Sequence, residues 1–172
     1  MSLSDLAAIG SFVSGISVLV TLVFLVVQIR QANQNQRAMV QQGRATRTAD
    51  FLLRVIDPAL LPAWTMGLRG AVDIGADRHF QFMYMARARF LSLEDSFLQH
   101  RNGLMDEGAF VGHVEAFRLV FAARGLRAAW KLTRATYDNE FAGFVDGLAD
   151  NQRAPVEQTS VERWLEAIQQ ET

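Results

Sequence analysis

An uninterrupted apolar run near the N-terminus constrains this chain more than any other feature. Residues Leu6 to Ile29 contain no charged side chain, and Gln28 is their only strongly polar one. As an α-helix rising ~1.5 Å per residue, the run reaches roughly 33–36 Å, enough to cross a hydrocarbon core about 30 Å thick. It is too long for the apolar part of a signal peptide, and no Lys or Arg precedes it. We therefore predict a transmembrane anchor.

Small residues line one face of the first half of this run. They recur at helical spacing at Ala7, Ser11, Ser14 and Gly15. Such spacing lets two helix backbones approach closely in lipid, so it predicts packing against a second copy of the chain or against another membrane protein. The alternative is that small residues are common in any span. The second half of the run is bulky and favours contact with lipid.

The flanks of the anchor predict its orientation. The N-terminal flank carries only the α-amino group and Asp5, whereas the C-terminal flank carries five arginines: Arg30, Arg37, Arg44, Arg47 and Arg54. The positive-inside rule places the N-terminus outside and the following domain in the cytoplasm. We expect Arg30 and Arg37 to lie near enough to the membrane surface to contact anionic lipid, unless they form only an ordinary positively charged flank.

The rest of the chain has the composition of a water-soluble helical domain, and no stretch alternates at period two, so we predict an all-α fold. The sequence divides into a transmembrane anchor (1–29), a polar juxtamembrane helix continuing from it (30–56), a compact multi-helix bundle domain (57–150), and a linker with a C-terminal amphipathic helix (151–172). The juxtamembrane helix should end at Asp57-Pro58. Its apolar stripe through Leu52 and Ile56 should enter the domain core.

Local signals divide the bundle into helices. Gly70 and Asn102-Gly103 each follow a predicted helix as a C-terminal cap, and Asp106 is a suitable N-cap for the next one. Arg124-Gly125 is expected to break the chain between two later helices. The most apolar segment is 77–100. Its large side chains surround the helix axis, which predicts a central buried helix.

Polar residues within that segment allow two interpretations. Arg87 and Glu94 are seven residues apart and therefore share a helix face. They can form a structural network of ion pairs, because a buried carboxylate needs a partner. Alternatively, they line a ligand-binding site together with Tyr84 and His100.

The C-terminal helix begins with a capping box, Thr159-Ser160-Val161-Glu162. Its apolar residues recur at intervals of three and four, at Val161, Trp164, Leu165 and Ile168. This spacing predicts a seam that packs against a partner.

Several function classes lack support in the sequence. There is no cysteine, which excludes disulfides, cysteine-ligated metals and a thiol nucleophile. The three histidines lie at least 13 residues apart, at His79, His100 and His113, and none has a glutamate three residues before it, so we expect no metal site, no cofactor and no enzymatic activity. With a net charge of −1 and no recognition motif, we expect no nucleic-acid partner.

Two stretches resemble a group of uncharacterised bacterial single-span membrane proteins. The first is IGSFVSGISVLVTLVFLVVQIRQ, and the second is FLQHRNGLMDEGAF, whose matching positions are Gln99, Arg101, Gly103, Leu104 and Asp106. The resemblance implies an N-terminal anchor followed by a helical domain; separately, we expect the protein in the bacterial inner (plasma) membrane. The resemblance implies no activity.

Two functions therefore compete. The first is a membrane-anchored interaction or scaffold protein, either self-associating as a homo-oligomer or an accessory subunit of an inner-membrane complex; its partners are membrane lipid, itself or another membrane protein. The second is a membrane-tethered sensor with a ligand pocket near Tyr84, Arg87 and Glu94.

Overall fold

The predicted all-α fold is confirmed. The computed structural model of the chain describes residues 3–150 and 160–171, and these ranges contain seven α-helices and no strand. The helices are α1 Leu3–Val55, α2 Leu61–Arg69, α3 Ala76–Arg101, α4 Glu107–Phe121, α5 Arg124–Thr133, α6 Asn139–Asp150 and α7 Ser160–Gln170, with a 3-10 turn at Arg134–Thr136. The predicted continuation of the apolar run into the polar segment is also confirmed, because both belong to α1.

The chain divides into two units, Met1–Thr46 and Arg47–Thr172. In the first unit, α1 is long and apolar enough to cross a membrane, and none of its most apolar stretch is buried by the described chain. Hydroxyl groups in this stretch bond to the helix itself: Ser17 Oγ donates to the Val13 carbonyl at 2.9 Å, and Thr21 Oγ1 to the Ser17 carbonyl at 2.8 Å. These bonds leave fewer unsatisfied polar groups for a lipid environment.

The second unit is built on an aromatic core. Phe90 of α3 is fully buried, and its ring centroid lies 5.0 Å from that of Trp130, 5.9 Å from Phe117 and 6.2 Å from Phe121. These partners come from α4 and α5. Helix α6 joins the same core through Phe141, whose centroid lies 6.0 Å from Trp130. One cluster of rings therefore holds four helices together.

The predicted helix ends are present. Gly70 follows α2 with φ 61°, and Gly103 follows α3 with φ 70°, a left-handed conformation that a residue without Cβ adopts at little cost. At the start of α4, Asp106 Oδ1 accepts a hydrogen bond of 2.9 Å from the Ala109 N–H. Helix α1 ends at Val55, before Asp57-Pro58.

The predicted break between α4 and α5 is present, but it lies at residues 122–123, two residues before Arg124-Gly125. Helix α4 ends at Phe121, and Arg124 and Gly125 form the first turn of α5. The reason is packing, since a Cβ on Gly125 would collide with the backbone carbonyl oxygen of Gly67 in α2. The side chain of Arg124 also donates to the Arg69 and Gly70 carbonyls at the end of α2. This glycine permits close contact between two helices and does not end one.

The predicted core face at the end of α1 is wrong by one position. Leu52 and Ile56 are exposed, while Val55 is buried and Phe51 is half-buried. The Phe51 ring makes an edge-to-face contact with Trp64 of α2, with centroids 5.5 Å apart. This aromatic contact orients the helix more strongly than the aliphatic stripe does.

Helix α3 is buried along one stripe only, which differs from the central buried helix that its composition predicts. Phe82, Ala86 and Leu93 face the core, whereas Phe80 and Tyr84 are exposed. The helices packed on α3 leave this face uncovered. In α7, the described side chains are exposed. The predicted linker and residue 159 of the predicted capping box lie outside the described residues.

Asp146 connects α6 to α5 and should make stability depend on pH. It accepts hydrogen bonds from Trp130 Nε1 at 2.9 Å and from Arg134 Nε at 2.8 Å. The Arg134 hydrogen bond, followed by the Trp130 hydrogen bond, holds the pKa of the carboxyl below its usual value, although burial opposes this. A depressed folded-state pKa means that the stabilisation is complete above the unfolded pKa of about 4 and is lost as the pH falls through the folded value.

We therefore expect Asp146→Asn to lower the free energy of unfolding at pH 7 by about 1 kcal/mol, a modest value because the carboxyl is partly exposed. The difference between the two proteins should shrink as the pH falls below about 4. Urea unfolding at pH 7 and pH 3 measures both values. A difference that stays constant between these pH values contradicts the assignment, and Glu115→Gln, which removes an exposed ion pair with Arg118, is the control.

Candidate ligand cleft

A cleft of about 390 Å³ in the second unit is lined by residues of α1 and α3. The lining residues are Arg47, Thr48, Phe51, Ala88, Arg89, Leu91, Ser92 and Asp95. Its volume lies at the small end of the range typical of small-molecule sites. Aromatic and aliphatic side chains form part of the wall, and a few polar groups lie among them.

Arg89 is the unusual residue of this cleft. Only 8% of it is exposed, and its guanidinium carbon lies 5.2 Å from the centroid of the Phe51 ring. Burial lowers the pKa of the guanidinium, although arginine side chains are not deprotonated in proteins. Its buried Nε has no hydrogen-bond partner among the described residues. The wall therefore contains a buried positive charge with a donor that lacks an acceptor.

The carboxylate of the cleft is already engaged. Arg47 donates to Asp95 in an ion pair, and Gln99 Nε2 donates to the same carboxylate oxygen at 2.9 Å. Both members of the ion pair are partly exposed. The lining has two arginines and one aspartate, so it carries one net positive charge.

The four residues predicted as a ligand site do not meet at one point. Tyr84 and His100 are 16 residues apart on α3, or roughly 24 Å along the helix axis. Tyr84 is exposed, with its ring centroid 4.5 Å from that of Phe80. None of the four lines the cleft described above.

His100 lies at the connection from α3 to α4. Its ring stacks on Phe110 with centroids 4.2 Å apart, and Nδ1 lies 3.4 Å from the Met105 carbonyl oxygen. Nε2 lies 3.3 Å from a carboxylate oxygen of Glu107. These contacts secure the turn between the two helices.

Arg87 and Glu94 act electrostatically on the same residue, Tyr137. Burial raises the pKa of the Tyr137 hydroxyl, Arg87 lowers it and Glu94 raises it. The Tyr137 hydroxyl is buried without a hydrogen-bond partner in the described part of the chain. The nearby Thr133 side chain also lowers the pKa of Tyr137. The Thr133 hydroxyl itself donates to a backbone carbonyl of α5. Burial likewise raises the pKa of Glu94, and the backbone N–H of Asp138 opposes the shift. These groups form a polar cluster beside the aromatic core.

The other predicted residues are exposed where their side chains are described. This holds for the predicted membrane-surface pair Arg30 and Arg37 and for the small residues of α1, Ala7, Ser11, Ser14 and Gly15. In the predicted partner seam, Trp164 is 63% exposed, and Leu165 and Ile168 are about half exposed. The side chain of Val161 lies outside the described residues.

Neither a metal site among the described residues nor a similar protein assigns a function to this chain. Among the described residues, no group of three or more His, Asp or Glu side chains is placed to hold a metal ion. Comparison with family models, with curated proteins and with solved structures finds no match to this chain.

Sequence reasoning missed the two residues that define the cleft, Phe51 and Arg89. A signal for Arg89 was available: the buried positions Phe82, Ala86, Arg89, Leu93 and Ser96 follow each other at intervals of four and three. An arginine within such a stripe must be buried when the stripe packs. No comparable signal identifies Phe51 as its neighbour, because that contact joins residues 38 positions apart in the chain.

Proposed function

We propose that this chain is a single-pass protein of a bacterial inner membrane that holds a helical interaction domain at the cytoplasmic surface. The observation that carries the proposal is the apolar stretch of α1, which the described chain leaves wholly unburied. A run of this length in water would expose far more contiguous apolar surface than soluble proteins tolerate, so lipid or other membrane helices must cover it. The resemblance to bacterial single-span proteins supports the choice of membrane.

The charges that flank the apolar run support the orientation. Arg30 and Arg37 follow the run directly, and both are exposed. Cytoplasmic segments next to a span carry an excess of such residues, and each contributes about 1 kcal/mol of attraction to an anionic leaflet. The N-terminus would then lie outside the cell and the second unit inside.

Two surfaces support an interaction role. In the membrane, the small residues of α1 share one helix face and leave room for a close neighbour; among the described residues, no atom outside the helix's own backbone lies within 4 Å of a Cβ built on Gly15. In the domain, Trp164, Leu165 and Ile168 fall on one face of α7 and are exposed. We propose that a second copy of the chain covers the α1 face, or else another subunit of a membrane complex.

Cysteine cross-linking tests self-association. Because the chain has no native cysteine, any disulfide between two copies must form through the introduced thiols. Ser11→Cys places a thiol on the small-residue face, whereas Val13→Cys places one about 200° around the helix at nearly the same depth. We expect oxidation of native membranes to convert several times more of the Ser11→Cys protein than of the Val13→Cys protein into disulfide dimer. Equal yields at the two positions, or a protein that extracts as a strict monomer without a co-purifying partner, would argue against the proposal.

The α1–α3 cleft favours a second candidate function, a membrane-tethered sensor of a small ligand. Such sites are concave, largely apolar and equipped with a few polar groups, as this cleft is. The pocket would lie at Arg89. Its lining does not include Tyr84, Arg87 or Glu94, the residues near which the sequence predicts the pocket.

A further inference from the structure

We infer that the α1–α3 cleft binds a small monoanionic carboxylate with an apolar body, and that Arg89 holds the carboxylate group. The inference rests on the second candidate function, to which it gives a ligand class. It does not depend on self-association.

Arg89 carries its positive charge in the interior of the domain. Buried ionised side chains are normally paired with an opposite charge, because removing them from water is costly. Arg89 is more than nine-tenths buried, and its Nε has no acceptor among the described residues. Arg89 and Phe51 both line the cleft, and the guanidinium carbon lies 5.2 Å from the centroid of the Phe51 ring, so an anion bound in the cleft lies beside this charge. A planar guanidinium is suited to a carboxylate, which can accept two parallel hydrogen bonds from it.

The charged residues that line the cleft favour a ligand with a single negative charge. Asp95 is engaged by Arg47 and Gln99, so it does not neutralise Arg89. One net positive charge on the lining matches one negative charge on the ligand. A phosphate dianion would leave a negative charge uncompensated beside Asp95. A carboxylate is therefore favoured over phosphate.

The uncharged residues that line the cleft favour a ligand with an apolar body. Phe51, Ala88 and Leu91 give the cleft apolar walls, and the hydroxyls of Thr48 and Ser92 are its only uncharged polar side-chain groups. A volume of about 390 Å³ accommodates a compact aromatic or branched aliphatic group. Burying such a group provides the affinity that a single carboxylate contact would not.

The test uses the full chain in mild detergent and three probes: phenylacetate, its neutral counterpart phenylacetamide, and inorganic phosphate. Calorimetric titration gives Kd, and thermal unfolding gives the shift in Tm. We expect phenylacetate to bind the natural chain saturably and to raise its Tm. Arg89→Met should weaken this binding at least tenfold. Arg87→Met, two residues away and outside the cleft, should leave it unchanged.

Two further variants keep the test decisive if Arg89→Met does not fold. Arg89→Lys retains the charge but not the planar donor edge, so it should bind phenylacetate less tightly than the natural chain. Ser92→Phe fills the cleft without touching the charge and should abolish binding.

Four results would overturn the inference. Phenylacetamide binding as tightly as phenylacetate would show an apolar site without anion recognition, and the sensor function would stand. Tighter binding of phosphate, or undiminished binding of phenylacetate by Arg89→Met, would reject the carboxylate at Arg89. If none of the three probes binds, both the inference and the sensor function fail.

Discussion

Phe90→Ala is expected to lower the free energy of unfolding by about 3–5 kcal/mol, the usual cost of removing a buried phenylalanine. Phe90 has no exposed surface, and rings from α4, α5 and the segment before α6 surround it: Phe117, Phe121, Trp130 and Tyr137. Rings held from several sides cannot easily collapse into the space that the substitution leaves, so the cavity term should be large.

Phe80→Ala is the matched control, since Phe80 belongs to the same helix but is 62% exposed. Phe80→Ala should lower the free energy of unfolding by less than about 1 kcal/mol. Urea unfolding of the full chain in mild detergent, followed by the fluorescence of the buried Trp64 and Trp130, measures both values. Equal losses in the two variants would contradict the placement of Phe90 at the centre of the domain.

Gly125→Ala is expected to destabilise the domain by about 2–3 kcal/mol, even though alanine is the better helix former. The new Cβ would meet the carbonyl oxygen of Gly67 and also approach that of Leu68 at 3.1 Å. Both are backbone atoms of α2, so no side-chain rotation can relieve the collision. Helices α2 and α5 would have to separate, which would also disturb the Arg124 hydrogen bonds to the end of α2.

Gly143→Ala should change the free energy of unfolding in the opposite direction. Gly143 lies within α6 and is exposed, and in the described part of the chain no atom outside the helix's own backbone lies within 4 Å of a Cβ built there. The substitution should therefore stabilise the protein by about 0.5–1 kcal/mol through helix propensity alone. The same unfolding measurement compares the two variants. If both substitutions are neutral or stabilising, the close α2–α5 contact is absent.

Local sequence signals predicted the helices well because each depends on a few neighbouring residues. Asp106 caps α4 through its own side chain, and Gly70 and Gly103 end helices through their own backbone angles. Positions that depend on another helix were not predictable in this way. Gly125 looks like a helix breaker in sequence, yet its role is set by Gly67, 58 residues earlier.

Dependence on other helices also explains why the buried faces of α1 and α3 and the residues of the cleft were not predicted correctly. Leu52 and Phe51 are both apolar neighbours on α1, and only the presence of Trp64 decides that Phe51 turns inward. In α3, apolar side chains on all sides predicted complete burial, but the number of helices available to cover them is a property of the fold. The cleft joins Phe51 to Arg89, and no periodicity within either helix indicates that pairing.

We propose that Leu6–Ile29 crosses a membrane with the domain on the cytoplasmic side. Two single-cysteine variants of the cysteine-free chain test it most directly, one before the run at Ser4→Cys and one in the domain at Lys131→Cys; both positions are exposed in the structure. A maleimide that cannot cross the plasma membrane should label Ser4→Cys in intact cells. The same reagent should label Lys131→Cys only after the cells are lysed. Equal labelling of both variants in intact cells, or protection of both until lysis, would contradict the claim.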